Sequence, residues 1–322
     1  MKPERRAVID VGTNSIKLLV ADVATGKVRP VLEESRQTRL GQSFYQTNHL
    51  QPGRIAQTAE AVAQFATKAR DHEAAFIRII ATSAAREAIN SAQLVGAIEQ
   101  VSGLKPEIIS GEQEAVLAFR GVNTDPLLAG KPLLLLEVGG GSTQFILGHD
   151  ERRDFLQSFP IGSVRLMEKF PHSDPPQPAE LAACRSWIEG FVLHEVRPKL
   201  LPQIEAERGL GAEGGRLQPV ATGGTASILG CMEAKLHRFD RAALEAVRLS
   251  LDRICWHVEN LWSRPLEQRR EIIGLPQNRA DVILTGAAIY EGVMRHFQFR
   301  ELRLSTRGLR FGALLDVEAL SR

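Results

Sequence analysis

Residues 8–20, VIDVGTNSIKLLV, fall on residues 135–147, LLEVGGGSTQFIL, when the chain is shifted by 127 positions. The shift places Asp10 on Glu137, Gly12 on Gly139 and Ser15 on Ser142. Each copy reads as a strand, an acidic residue, a glycine-bearing turn and a second strand. Duplicated units commonly pack about a pseudo-twofold axis and set equivalent turns face to face. The repeat therefore predicts two related halves whose turns flank one central cleft.

The segments around the repeat alternate between the two secondary-structure periods. RAVIDVG, SIKLLVADV and KVRPVLEES read as strands; GRIAQTAEAVAQFATKAR has apolar residues at helical spacing; AFIRIIAT is a short buried strand; SAQLVGAIEQVSG is a helix closed by Gly103. NTDPLLAGKP marks a boundary near residue 125, after which PLLLLEV, STQFILG and DFLQSFPIG open a second α/β unit. Beyond residue 163 the reading is mainly helical, interrupted by strands at LQPVAT and ELRLST, with GLGAEGG at 209–215 as a surface loop. The expected fold is α/β, with one domain over residues 1–124 and a second over 125–307.

The turns carry the chemistry. Glycine tolerates positive φ and lacks a Cβ, so a glycine turn can aim several amides at one point, and such concave arrays bind phosphate oxygens. One such turn alone is better explained by a plain β-hairpin with glycine for sharpness. Two homologous turns, Gly12–Thr13–Asn14–Ser15 and Gly139–Gly140–Gly141–Ser142–Thr143, favour an anion site, as does Gly223–Gly224–Thr225 in ATGGTASILG, where glycines open a helix. An acidic residue entering each phosphate turn, Asp10 and Glu137, calls for a divalent cation between carboxylate and anion, with Mg²⁺ as the natural choice.

Arg86 in ATSAAREA and Arg165 in FPIGSVRLMEKF both fall at expected helix starts, the first with Ser83 as cap and the second with Gly162 or Ser163. The macrodipole opposes a cation there; either arginine alone reads as a solvated surface charge, and the two together set phosphate clamping beside that reading. In SGEQEA, Ser110 and Gln113 have capping-box spacing and Glu112 reads as an ordinary first-turn acid. Glu114 shares its helical face with Ala118, Gly121 and Val122, and reads either as a snorkelling surface glutamate or as a carboxylate at the margin of packing, suited to orienting or deprotonating water.

Composition removes other classes. With 40 basic and 38 acidic residues the chain has no overall field for a polyanion, and 6% aromatics argues against a nucleic-acid reader. Cys184, Cys231 and Cys255 form no C-x-x-C pair and fit free thiols in a reducing cytoplasm. No signal-peptide core, membrane span, P-loop, H-E-x-x-H or G-x-S-x-G pattern is present.

VIDVGTNSIKLLV, ATSAAREAIN, ISGEQEA, EVGGGST, FPIGSVRLME, ATGGTAS, RADVILTGAAI and RGLRFG, in this order across nearly the whole chain, resemble the exopolyphosphatase and guanosine pentaphosphate phosphatase (Ppx/GppA) family. The resemblance implies two actin-like, ribonuclease-H-like domains of the sugar-kinase and heat-shock-ATPase superfold, a helix at 308–322 packing back on the first domain, and a cytoplasmic homodimer. It implies Mg²⁺-dependent hydrolysis of a terminal phosphoanhydride in polyphosphate or pppGpp, with no nucleic-acid or membrane partner. Glu114 would position the attacking water, Asp10 and Glu137 would flank the metal, and Gly139 to Thr143, Arg86 and the TGGT turn would hold phosphates. A non-catalytic polyphosphate or nucleotide sensor is the alternative, and a small-molecule kinase of the same superfold a third. The chain departs from the family's usual Asp at Glu137, its Glu at Gln144, and the acid of an SDGGLREG-like segment at Thr306. The change at 144 removes a negative charge and bears on metal binding or substrate choice.

Overall fold

The computed structural model describes residues 3–209 and 217–316. The chain divides into two compact units, Met1–Pro126 with the C-terminal segment from Arg307, and Leu127–Thr306.

Unit 1 is built on a five-stranded sheet in the order β3-β2-β1-β4-β5, with β1 Glu4–Val11, β2 Ser15–Ala24, β3 Lys27–Gln37, β4 Phe76–Ala81 and β5 Glu107–Ile108. β1, β2 and β3 are antiparallel, whereas β4 and β5 run parallel to β1. Successive side chains point to opposite faces of a strand, and here both faces are covered. Ile9, Val11, Ile16 and Leu18 pack with Val62, Phe65, Leu94 and Ile98 from the helices Pro52–Asp71 and Ser91–Ser102. Val8, Leu19 and Ala21 pack on the other face with Leu117, Phe311 and Leu314 from the helices Gly111–Val122 and Leu309–Leu315. The C-terminal helix thus completes the core of unit 1; positions 317–322 of the expected 308–322 helix lie outside the described residues.

Unit 2 has a six-stranded sheet, β10-β11-β9-β6-β7-β8, with β6 Leu133–Val138, β7 Thr143–His149, β8 Arg152–Phe159, β9 Gln218–Thr222, β10 Arg248–Ser250 and β11 Glu301–Leu304. Its main core joins Leu134, Leu136, Phe145 and Leu147 to the helices Pro178–Phe191, Leu251–Trp262 and Ile283–Phe297. The sequence pattern does not predict β10, because a three-residue strand shows no period. The expected loop at 209–215 lies, past Gly209, outside the described residues.

The repeat is visible in hydrogen-bond register. Asp10 pairs with Lys17 across β1 and β2, and Glu137 pairs with Gln144 across β6 and β7. Each first strand then runs parallel to the strand on its other side, β1 to β4 and β6 to β9. The two sheets share the pattern of three antiparallel strands followed by two parallel ones.

Candidate functional site

In each unit the candidate residues gather at the carboxyl ends of the parallel strands, the edge where open α/β sheets bind ligands. In unit 1 these ends are joined by Thr82 N donating to Val11 O at 3.2 Å and Ile109 N donating to Ala81 O at 3.1 Å. In unit 2, Ser305 N donates to Ala221 O at 2.9 Å.

The two turns close identically, Gly12 N on Ser15 O at 3.1 Å and Gly139 N on Ser142 O at 2.9 Å. Their carbonyls are committed to neighbouring segments. Thr13 O accepts from Gly41 N at 2.7 Å, and Asn14 O accepts from Thr38 N and Arg39 N. Gly139 O accepts from Ser163 N at 2.9 Å, Gly140 O from Val164 N at 2.8 Å, and Gly141 O from Arg165 Nε at 2.8 Å. A trans peptide sets its N–H opposite its C=O. Fixing those carbonyls on the helix Ser163–Lys169 therefore turns the amides of Gly140, Gly141 and Ser142 away from that helix. Gly162 permits this contact, since a Cβ there would lie 2.5 Å from Gly140 O. In unit 1, buried Asn14 accepts from Gln37 Nε2 at 3.2 Å, while its Nδ2 donates to no acceptor among the described residues.

Arg86 stands differently from the sequence expectation, whereas Arg165 stands where it was expected. Thr82, rather than Ser83, precedes the helix Ser83–Glu87, so Arg86 belongs to its last turn, where a cation is favourable. Its Nη1 donates to Glu114 Oε2 at 3.1 Å and to Ile109 O at 3.0 Å. Arg165 does stand in the first turn behind the cap Gly162, yet the carbonyl of Gly141 meets its guanidinium. Arg86 thus holds Glu114, and Arg165 holds the glycine turn through Gly141 O. Glu114 follows the Ser110–Gln113 capping box, whose bonds measure 3.0 and 2.8 Å, and its side chain is 12% exposed.

The acids differ in surroundings. Burial pushes the Asp10 carboxyl up from its ordinary value, while the fields of Lys17 and Arg310 pull it down. Lys17 is legible only once the hairpin register is known, and Arg310 carries no local signal, 300 residues downstream. Glu137 lies beside Gly223, where φ is +89° and a Cβ would come within 3.1 Å of Glu137 Cγ and Oε1. Residues paired across a ladder share a face, so Ser158, Gln144, Glu137 and Thr222 form a polar row across β8, β7, β6 and β9. Gln144 is 1% exposed, with Nε2 donating to Ser142 Oγ at 2.9 Å and Ser158 Oγ at 3.2 Å. Its Oε1 accepts nothing among the described residues. A buried, unmatched acceptor in the same row as a carboxylate fits a hard cation that takes its remaining oxygens from phosphate. The hydroxyls of Thr143 and Thr225 are spent on Ile161 O and Val138 O, at 2.6 and 3.1 Å. That leaves Thr143 only its main chain for the turn, its side chain lying on the face opposite Glu137.

Among the described residues no helix is long and apolar enough to cross a membrane.

Known proteins resemble this chain over most of its length. The model of the Ppx/GppA phosphatase family matches residues 19–320. A Mycobacterium tuberculosis protein named exopolyphosphatase 2 is 34% identical over 309 residues, covering 92% of each chain. A Vibrio vulnificus protein named guanosine-5'-triphosphate,3'-diphosphate pyrophosphatase is 27% identical over 97% of this chain and 59% of its own. The crystal structure of the Aquifex aeolicus Ppx/GppA family member superimposes with a TM-score of 0.76 at 27% identity, covering 99% of this chain and 98% of that one. With a family match over nearly its full length and glycine turns built alike in both units, the chain belongs to the Ppx/GppA phosphatase family.

Proposed function

We propose that this protein hydrolyses the terminal phosphoanhydride of inorganic polyphosphate or of pppGpp, by in-line attack of a water that Glu114 holds. The observation that carries this reading is the Glu114–Arg86 pair at 3.1 Å. A carboxylate fixed by a guanidinium keeps its second oxygen in a constant direction, as a water-orienting group must. Phosphoryl transfer asks the protein for positioning and charge stabilisation more than covalent chemistry. The amides of Gly140, Gly141 and Ser142 would take charge on phosphoryl oxygens, with Gly223–Gly224–Thr225 of the same unit holding a further phosphate. Arg165 keeps the glycine turn in place through Gly141 O. Mg²⁺, when bound, would neutralise phosphate oxygens, and Glu137 with Gln144 would hold it. Asp10, already in the fields of Lys17 and Arg310, suits it less.

The family and the two named relatives support an acid-anhydride hydrolase; polyphosphate and pppGpp are the substrates those names suggest. The test is Mg²⁺-dependent phosphate release from polyphosphates of several lengths and from pppGpp, wild type beside Glu114→Gln. The variant is expected to lose about 10²- to 10⁴-fold in kcat with nearly unchanged substrate binding. Tight binding without turnover in either protein would instead establish a sensor, the reading that a neutral Gln144 favours.

A further inference from the structure

The turn between β1 and β2 holds a buried donor with nothing to donate to. Asn14 is 7% exposed, and its neighbours Thr13 and Ser15 are buried with it. Its main-chain carbonyl accepts from Thr38 N at 3.2 Å and Arg39 N at 3.0 Å, and its side-chain Oδ1 accepts from Gln37 Nε2 at 3.2 Å. What is left is Nδ2, which donates to no acceptor among the described residues. A buried donor without an acceptor is unfavourable, and native structures keep few of them unless a ligand or water completes the bond.

Strand register places this donor beside the other candidate residues of unit 1. Gln37 stands opposite Ser15 at the open end of the β2–β3 ladder, Lys17 opposite Ser35, and Asp10 opposite Lys17. Side chains paired across a ladder share a face, and every second residue of a strand returns to it. Gln37, Ser15, Lys17 and Asp10 therefore lie on one face of the sheet. It is the face of Val8 and Leu19, on which the helix Gly111–Val122 that carries Glu114 is packed. We propose that Gln37 is a positioning residue for substrate: by filling Asn14 Oδ1 it leaves Nδ2 as the group that meets a phosphate oxygen in unit 1. Without a donor at 37, the Asn14 amide could turn its oxygen to that anion as readily as its nitrogen. Glutamine can donate or accept, whereas lysine only donates and an ionised glutamate only accepts, so the orientation can be set from position 37.

The ligand class, a chain of phosphates, rests on the hydrolase reading; the bond itself is tested by binding rather than by turnover. Tripolyphosphate binding with Mg²⁺ is measured by calorimetry for Gln37, Gln37→Glu and Gln37→Lys, each with Asn14 and with Asn14→Ala, all in the Glu114→Gln protein so that hydrolysis does not intervene. With Asn14 present, Gln37→Glu should weaken binding about tenfold, because Nδ2 turns to the new carboxylate and Oδ1 to the phosphate, while Gln37→Lys should bind no more weakly than the parent. With Asn14→Ala, the effect of Gln37→Glu should fall below about threefold, as expected of coupled neighbours. An equal weakening in both backgrounds would mean simple charge repulsion and overturn the proposal, as would no weakening, or no binding by the parent. A second measurement does not depend on how the variants at 37 fold. In protein labelled with ¹⁵N-asparagine, the Asn14 side-chain amide signal, identified by its absence from Asn14→Ala, should move when tripolyphosphate is added, and an unmoved signal would also overturn the proposal. If these binding results hold but the wild type releases no phosphate, Gln37 keeps its role and the hydrolase reading alone fails.

Discussion

Glu114 and Arg86 show how far residue types go and where they stop. Both are singled out by the sequence, but for unrelated reasons, and their contact is invisible until β4 and β5 place their helices together. The expected cap is one residue off: Ser83 is a good capping side chain, yet the chain turns at Thr82, and Ser83 Oγ donates to Glu87 instead. Gln144 is buried opposite Glu137, and its Oε1 accepts nothing among the described residues. If its Oε1 faces a bound cation, Gln144→Glu adds one negative ligand to a buried site. Mg²⁺ affinity by calorimetry should then rise about tenfold, the effect of one nearby charge at moderate effective dielectric. The metal-free variant should melt at a lower temperature than wild type, because two carboxylates would share the row with no cation between them. Unchanged affinity would mean that Gln144 does not face the metal.

At the scale of elements, strands and helices with a clear period were legible, including the hairpins on either side of each turn, the helix closed by Gly103 and the capping box at Ser110. Packing between elements was not. The helices Gly111–Val122 and Leu309–Leu315 meet through bare backbone: a Cβ on Gly121 would lie 2.0 Å from Gly308 O, and one on Gly312 would lie 1.9 Å from Leu117 O. Neither partner is a flexible side chain that can move aside. Gly121→Ala and Gly312→Ala should each destabilise unit 1 by about 1–3 kcal/mol or more in urea unfolding, through overpacking. Gly96, inside the helix Ser91–Ser102, provides the contrast, since a Cβ there would meet nothing within 4 Å. Gly96→Ala should stabilise by about 0.5–1 kcal/mol, the ordinary gain of alanine in a helix. Equal effects at the three positions would refute the close helix contact.

For the molecule as a whole, the repeat was the most informative reading, because an offset in sequence is copied into strand register. Asp10–Lys17 and Glu137–Gln144 are equivalent pairs, and the closing hydrogen bonds of both turns are the same. What the repeat could not reveal is the specialisation of each copy. Unit 1 sets two cations, Lys17 and Arg310, around its acid, whereas unit 2 sets a neutral amide opposite Glu137 and a glycine with positive φ against it. Arg310 reaches β2 from the far end of the chain, donating to Leu18 O at 2.8 Å, a contact that no local pattern encodes.

In the proposed reaction a water positioned by Glu114 attacks the terminal phosphoryl group. Hydrolysis of polyphosphate in ¹⁸O-labelled water, followed by mass spectrometry of the products, tests it most directly. Attack at that phosphorus should put one ¹⁸O atom in each released orthophosphate and none in the shortened chain, with this release lost in Glu114→Gln. Label in the shortened chain, or undiminished release by the variant, would contradict it.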